Sequence, residues 1–121
     1  MNFSRKRRRF TMEERKQIFH KFGGRCAYCG RLMRYNDMHI DHITPFSRNG
    51  EDKVENLFPS CKDCDTVKGS LTPSEFRKKL QNMSYELENQ PQFRTALRFG
   101  IVKRFPYQRV RFYYETKGVK K

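Results

Sequence analysis

Apolar residues along the chain fall into short groups parted by polar turns, and the groups have different periods. Thr11-Met-Glu-Glu14 has the spacing of a helix-opening box, in which the Thr11 hydroxyl accepts the amide of residue 14 and the Glu14 side chain reaches back. Ile18, Phe19 and Phe22 then supply one apolar face, and Gly23-Gly24 ends the helix. Residues 38–43 read as a strand interrupted by Thr44-Pro45, followed by a polar loop that carries the turn pair Asn49-Gly50. Residues 54–59 are expected to return as a strand or an ordered loop, and a short helix is expected from about Lys62 to Gly69. These segments make a β-β-α unit. Thr72-Pro-Ser-Glu75 opens a further helix with Phe76 and Leu80 on its inner face, and residues 91–99 predict another, closed by Gly100. In residues 109–115, Val110, Phe112 and Tyr114 alternate with Arg111 and Tyr113, the pattern of a C-terminal strand.

The supply of core residues changes this picture. Only 36% of the 121 residues are hydrophobic, so one compact domain over residues 11–121, behind a basic arm at 1–10, needs support beyond apolar burial. The four cysteines offer it. They form two C-x-x-C pairs, Cys26-Ala-Tyr-Cys29 and Cys61-Lys-Asp-Cys64, with 31 residues between them, the double-knuckle spacing of a structural four-cysteine zinc site. Two disulfides are the competing arrangement, but the N-terminal run is basic and lacks the apolar segment of a secretion signal. A thioredoxin-like redox pair is disfavoured because neither C-x-x-C follows a hydrophobic strand in a βαβ pattern. No apolar stretch approaches the roughly 20 residues of a membrane span. A soluble, cytoplasmic protein is expected.

Charge narrows the partners. Lys and Arg number 27 against 13 Asp and Glu, a net charge of +14 that points to a polyanion, with nucleic acid favoured over a membrane surface. The distribution says more than the total. Residues 1–34 hold 11 basic and 2 acidic residues, residues 35–69 hold 4 and 7, and residues 70–121 hold 12 and 4. A protein that only coats phosphates gains nothing from an acidic centre, whereas a divalent cation beside a bound phosphate needs one. Glu51, Asp52 and Glu55 are read as solvating a surface loop. Arg5, Lys6, Arg7, Arg8 and Arg9 are read as a phosphate-gripping arm, and Arg48, Arg109 and Arg111 as further contacts to nucleic acid.

Between the knuckles stand Asp41-His42-Ile43, then Pro45, then Asn56-Leu57; Asp65 follows the last cysteine, and Lys68-Gly69 follows in turn. This order over residues 26–69 resembles the HNH, or ββα-metal, endonuclease family. The resemblance implies an α+β fold: a small ββα-metal core stapled by the four-cysteine zinc site, with flanking helices, a C-terminal strand and residues 70–121 as an extension. It makes His42 the general base, a role that suits a side chain titrating near neutral pH. It makes Asp41 and Asp65 ligands of a catalytic divalent cation, Mg²⁺ or Mn²⁺, and oxygen donors suit such hard ions. Many family members carry Asn or His where this chain has Asp65, a departure that bears on metal preference. Asn56 corresponds to the middle Asn of the family name, which orients the histidine and steadies the loop. The implied activity is phosphodiester hydrolysis that leaves 5′-phosphate and 3′-hydroxyl ends.

Beyond the resemblance, Lys68 lies one helical turn past Asp65, placed either to neutralise a phosphate or to stand in solvent. His39 shares a strand face with Asp41, as an extra ligand, a phosphate contact or an ordinary surface histidine; His20 is read as structural. Along a regular strand Asp41 and His42 point to opposite faces, so both reach one phosphate only where the strand ends or bulges. The function expected is a metal-dependent DNA endonuclease, monomeric or homodimeric, with RNA left open as substrate. Its rival is a catalytically silent zinc-stabilised module that binds nucleic acid.

Overall fold

The computed structural model describes residues 9–106 and 108–121. Arg5, Lys6, Arg7 and Arg8 of the expected arm lie outside the described residues. Within the span expected as one domain, contacts group the described residues up to Pro73 with Arg111–Lys121 in one compact unit, and Ser74–Val110 in a second.

The first unit opens with α1 (Met12–His20), whose Thr11 and Glu14 exchange hydrogen bonds of 3.0 and 3.1 Å, so two orphan amides of the first turn are satisfied. Its buried Ile18 meets Met38 and Leu57 in a small core, around which Phe19, Ile40 and Val54 pack. Lys21, just past the helix, donates to the carbonyls of Val54 and Leu57 at 2.7 and 2.8 Å, tying the helix end to the second strand. The first knuckle follows as a tight turn: Cys26 N–H donates to Arg31 O and Gly30 N–H to Cys26 O. Gly30 takes φ +80° there, and a Cβ on it would lie 3.0 Å from the Tyr113 ring, so both conformation and space call for glycine.

Strands β1 (His39–His42) and β2 (Leu57–Ser60) pair antiparallel, with His39 opposite Ser60 and His42 opposite Leu57. The knuckle joins this sheet through Ala27 N–H, which donates to Pro59 O at 2.9 Å. Helix α2 (Lys62–Lys68) starts at the second knuckle, where the Cys61 sulfur accepts the Cys64 amide at 3.4 Å. The β-β-α unit expected between the knuckles is therefore present.

The C-terminal strand is not. Residues 109–112 join no sheet, and Tyr113–Thr116 form a single helical turn, α5. The alternation of Phe112 and Tyr114 with their neighbours does reflect burial, since both are buried. Their backbone, however, is claimed by the knuckle: Tyr113 and Tyr114 N–H donate to the carbonyls of Tyr28 and Ala27 at 2.9 and 2.8 Å. Glu115 then caps the turn by accepting from Phe112 N–H at 2.8 Å. The result is an aromatic cluster in which Tyr28 meets Phe58, Phe112 and Tyr114 edge-on, with ring centroids 5.9, 5.2 and 5.9 Å away.

The second unit is helical. Most of α3 (Pro73–Glu88) and all of α4 (Pro91–Arg98) belong to it. Phe93 packs on Phe105 with tilted rings whose centroids lie 5.1 Å apart, Glu88 accepts from Phe105 N–H, and Arg77 donates to Val110 O at 2.6 Å. Among the described residues no helix is long and apolar enough to cross a membrane.

Candidate active site and metal centre

The two knuckles bring Cys26, Cys29, Cys61 and Cys64 together, with all four sulfurs within 4.8 Å of one another. A tetrahedral zinc with bonds of about 2.3 Å has sulfur–sulfur edges of about 3.8 Å. The Cys29 and Cys61 sulfurs stand 3.8 Å apart, on that edge and far beyond the roughly 2.05 Å of a disulfide. Crowding also sets the thiols against one another. A hydrogen bond from Cys64 pulls Cys26 down to about 4, burial pushes Cys29 up to about 11, and the bond to Cys26 pushes Cys64 up as well. Four thiolates so close together need a cation to ionise as a set. The cluster fits a zinc ion.

Asp41 stands in the middle of the unit, opposite Phe58 in the sheet and only 5% exposed. Tyr28, from inside the first knuckle, donates its hydroxyl to Asp41 Oδ2 at 2.5 Å. Lys68, from the last turn of α2, lies 3.2 Å from each carboxylate oxygen and donates to His42 O at 3.1 Å. Burial raises the Asp41 pKa above the usual carboxylate value, against the pull of Lys68 and Tyr28, while the charge of Asp65 raises it further. Burial, with the Asp41 charge behind it, pushes the Tyr28 phenol upward, so it stays a donor.

This arrangement corrects the reading of Lys68 as a contact to nucleic acid. Its side chain is 0% exposed and its ammonium sits over the Tyr28 ring, 5.9 Å from the centroid, fully engaged inside the protein. A buried ammonium must be paired, and the buried Asp41 carboxylate is the partner that makes both tolerable.

His42 lies next to Asp41 but in other company. Its Nε2 is 2.9 Å from Asp52 Oδ1, with side-chain exposures of 7% and 16%. The rings of Phe46 and Phe10 flank it, with centroids 5.4 and 6.5 Å from that of the imidazole. His42 is the last residue of β1, so the pair stands where the strand ends: Asp41 meets Tyr28 and α2, and His42 meets the loop that follows.

Asn56 holds that loop. Its Oδ1 accepts from Thr44 N–H at 2.9 Å, and its Nδ2 donates to the carbonyls of Thr44 and Glu51 at 3.1 and 2.8 Å. Its own carbonyl accepts Ile43 N–H at 2.8 Å. These bonds tie Asn56 to the loop, whereas the bond to the His42 ring comes from Asp52. Gly50 seals the turn: a Cβ there would meet Thr44 O at 1.8 Å, so no side chain fits.

Asp65 leaves the second knuckle toward His39, with 2.9 Å between Oδ2 and Nδ1, and both side chains are well exposed. Asp41 and Asp65 share no direct bond, but each lies within the electrostatic reach of the other. Both side chains offer carboxylate oxygens, the donor type that hard divalent cations take from proteins. Arg9, Arg48, Arg109 and Arg111 are exposed. Two residues with contacts to the site were missed in the sequence. Asp52 was grouped with the loop acids, although the Asn49-Gly50 turn before it is what folds it back on His42. Tyr28 has no role in the sequence reading, although it is the knuckle residue with both a large ring and a hydroxyl.

Residues 26–71 match the family model described as HNH endonuclease. Among curated proteins no match is found. Among solved structures the chain is similar to the type II-C Cas9 enzyme from Actinomyces naeslundii, at 18% identity and a TM-score of 0.50 over 71% of this chain. It spans 10% of that far longer chain, and at this identity the likeness bears on the fold. Knuckle, strand, strand, knuckle and helix all fall within the residues that match the HNH endonuclease family model, 26–71.

Proposed function

We propose that this chain is a metal-dependent DNA endonuclease, with His42 as general base and a divalent cation, Mg²⁺ or Mn²⁺, on Asp41 and Asp65. The observation that carries the reading is the end of β1, where an imidazole held by a carboxylate adjoins a carboxylate held by a hydroxyl and an ammonium. With Nε2–H donated to Asp52, the neutral ring keeps its lone pair on Nδ1, and that atom takes the proton of the attacking water. The water oxygen bonds to phosphorus as the bond to the 3′ oxygen breaks, and that oxygen takes a proton from solvent water, leaving 5′-phosphate and 3′-hydroxyl ends. Asp52 then faces an imidazolium, whose charge it offsets. A divalent cation held by Asp41 and Asp65 would supply positive charge to offset that on the phosphoryl and leaving oxygens.

Asn56 acts in this scheme by fixing the loop that carries Asp52. The exposed Arg9, Arg109 and Arg111, with residues 5–8 of the arm, grip phosphates beyond the acidic centre, and the exposed Arg48 does so from the loop within it. One such site cuts one strand, so nicked circles are the expected first product. Incubating supercoiled plasmid with the protein and Mg²⁺ or Mn²⁺ tests the reading beside His42→Ala. Wild type is expected to nick, and the variant to be slower by about 10²- to 10⁴-fold. Plasmid left equally intact by both under every metal tried would sink the enzyme reading and leave a zinc-stabilised binding module.

A further inference from the structure

Asp41 receives two protein donors, and each is placed by a different knuckle. Tyr28 lies between Cys26 and Cys29, and Lys68 closes the helix that begins at Cys61. The two donors differ in what they do to an approaching cation. The Lys68 ammonium repels it, whereas the neutral Tyr28 hydroxyl does not. Tyr28 takes one acceptor direction of Oδ2, and Lys68 one of Oδ1 while also lying 3.2 Å from Oδ2; of the about four directions a carboxylate offers, ligand capacity is left on Oδ1. The hydroxyl is aimed with little freedom. Its ring is wedged among Phe58, Phe112 and Tyr114, and its carbonyl is held by Tyr113 N–H at 2.9 Å.

The geometry points to Tyr28 as the positioning residue of Asp41: its hydroxyl fixes the carboxylate in one orientation and so sets how tightly the site holds a divalent cation, transmitting the order of the thiol cluster to the catalytic centre. The inference rests on the reading of Asp41 as a metal ligand. Partners that orient a ligating carboxylate typically contribute 10- to 100-fold to metal affinity.

The test uses the full-length, zinc-loaded protein without DNA. Tyr28→Phe removes the hydroxyl and keeps the ring. Its Mn²⁺ dissociation constant, followed by the electron-paramagnetic-resonance signal of free Mn²⁺, is expected to rise about 10- to 100-fold. Bound zinc is expected to stay at one ion per chain. The Mn²⁺ concentration for half-maximal plasmid nicking should rise by the same factor. If Tyr28→Phe binds Mn²⁺ as wild type does while Asp41→Asn does not, the inference is overturned and the ligand reading stands. If Asp41→Asn also binds Mn²⁺ as wild type does, both fall together. A measurement on the unaltered chain guards against a variant that loses zinc. With ¹³Cζ-labelled tyrosine, Mg²⁺ titration is expected to shift the Tyr28 resonance in step with binding, and a resonance that stays in place through saturation overturns the inference.

Discussion

On the α2 side of β1, Asp41 is held by Tyr28 and Lys68, 13 and 27 positions away in sequence; on the loop side, His42 is held by Asp52, 10 positions on. The first environment is an assembly of parts that meet only when both knuckles are closed, and it holds charges of both signs out of water. The second is one loop folded on itself around Asn56 and Gly50, with aromatic rings for walls. Adjacent residues of a strand therefore depend on different supports. The Asp41 side inherits its order from the thiol cluster, and the His42 side from local turn chemistry.

The largest test of this contrast is zinc removal. A structural zinc contributes on the order of 10 kcal/mol of folding free energy at neutral pH. Chelation, or Cys61→Ser, is expected to abolish the cooperative unfolding transition followed by circular dichroism, and Mg²⁺ added afterwards should not restore nicking. An undiminished transition would mean that the Asp41 side does not lean on the cluster. His42→Ala comes next, and it sharpens the comparison if Mn²⁺ binding is retained while nicking falls, because the two sides then fail separately. Asp52→Asn should have a smaller effect, since a hydrogen bond to a charged group is worth about 1.5–3 kcal/mol, or about 10- to 100-fold in rate. A variant that nicks at the wild-type rate would show that the loop alone orients the imidazole. The smallest effect belongs to Thr11→Ala, which removes only the cap of α1. Loss of the capping box should cost about 1 kcal/mol in denaturant unfolding with nicking per folded molecule unchanged.

Local signals foretold the elements well where one residue type does one job. The Thr11 box, the Cys61 start of α2 and the Gly100 stop all depend on neighbours within a turn, and each was legible. Residues 109–115 misled because a period of two records which side chains are buried and says nothing about whether another strand is at hand; here the backbone partners are knuckle carbonyls. At the site, Asp41, His42 and the cysteines stood out through their order along the chain. Lys68 did not reveal its place, because one helical turn past Asp65 fits solvent, a phosphate and a buried ion pair alike. Asp52 was hidden for a related reason. A carboxylate in an acidic loop looks solvated until the turn at Gly50 brings it back to His42.

The return of Arg111–Lys121 to the first unit has a consequence for the order in which the protein matures. On the ribosome both knuckles and the sheet emerge before Phe112 and Tyr114, so Tyr28 initially lacks two of its ring neighbours and the amide that holds its carbonyl. At about 5–20 residues per second, synthesis of the intervening Ser74–Val110 stretch delays their arrival by about 2–7 s. The nascent first unit thus waits, partly cored, for a segment encoded well downstream of its two knuckles.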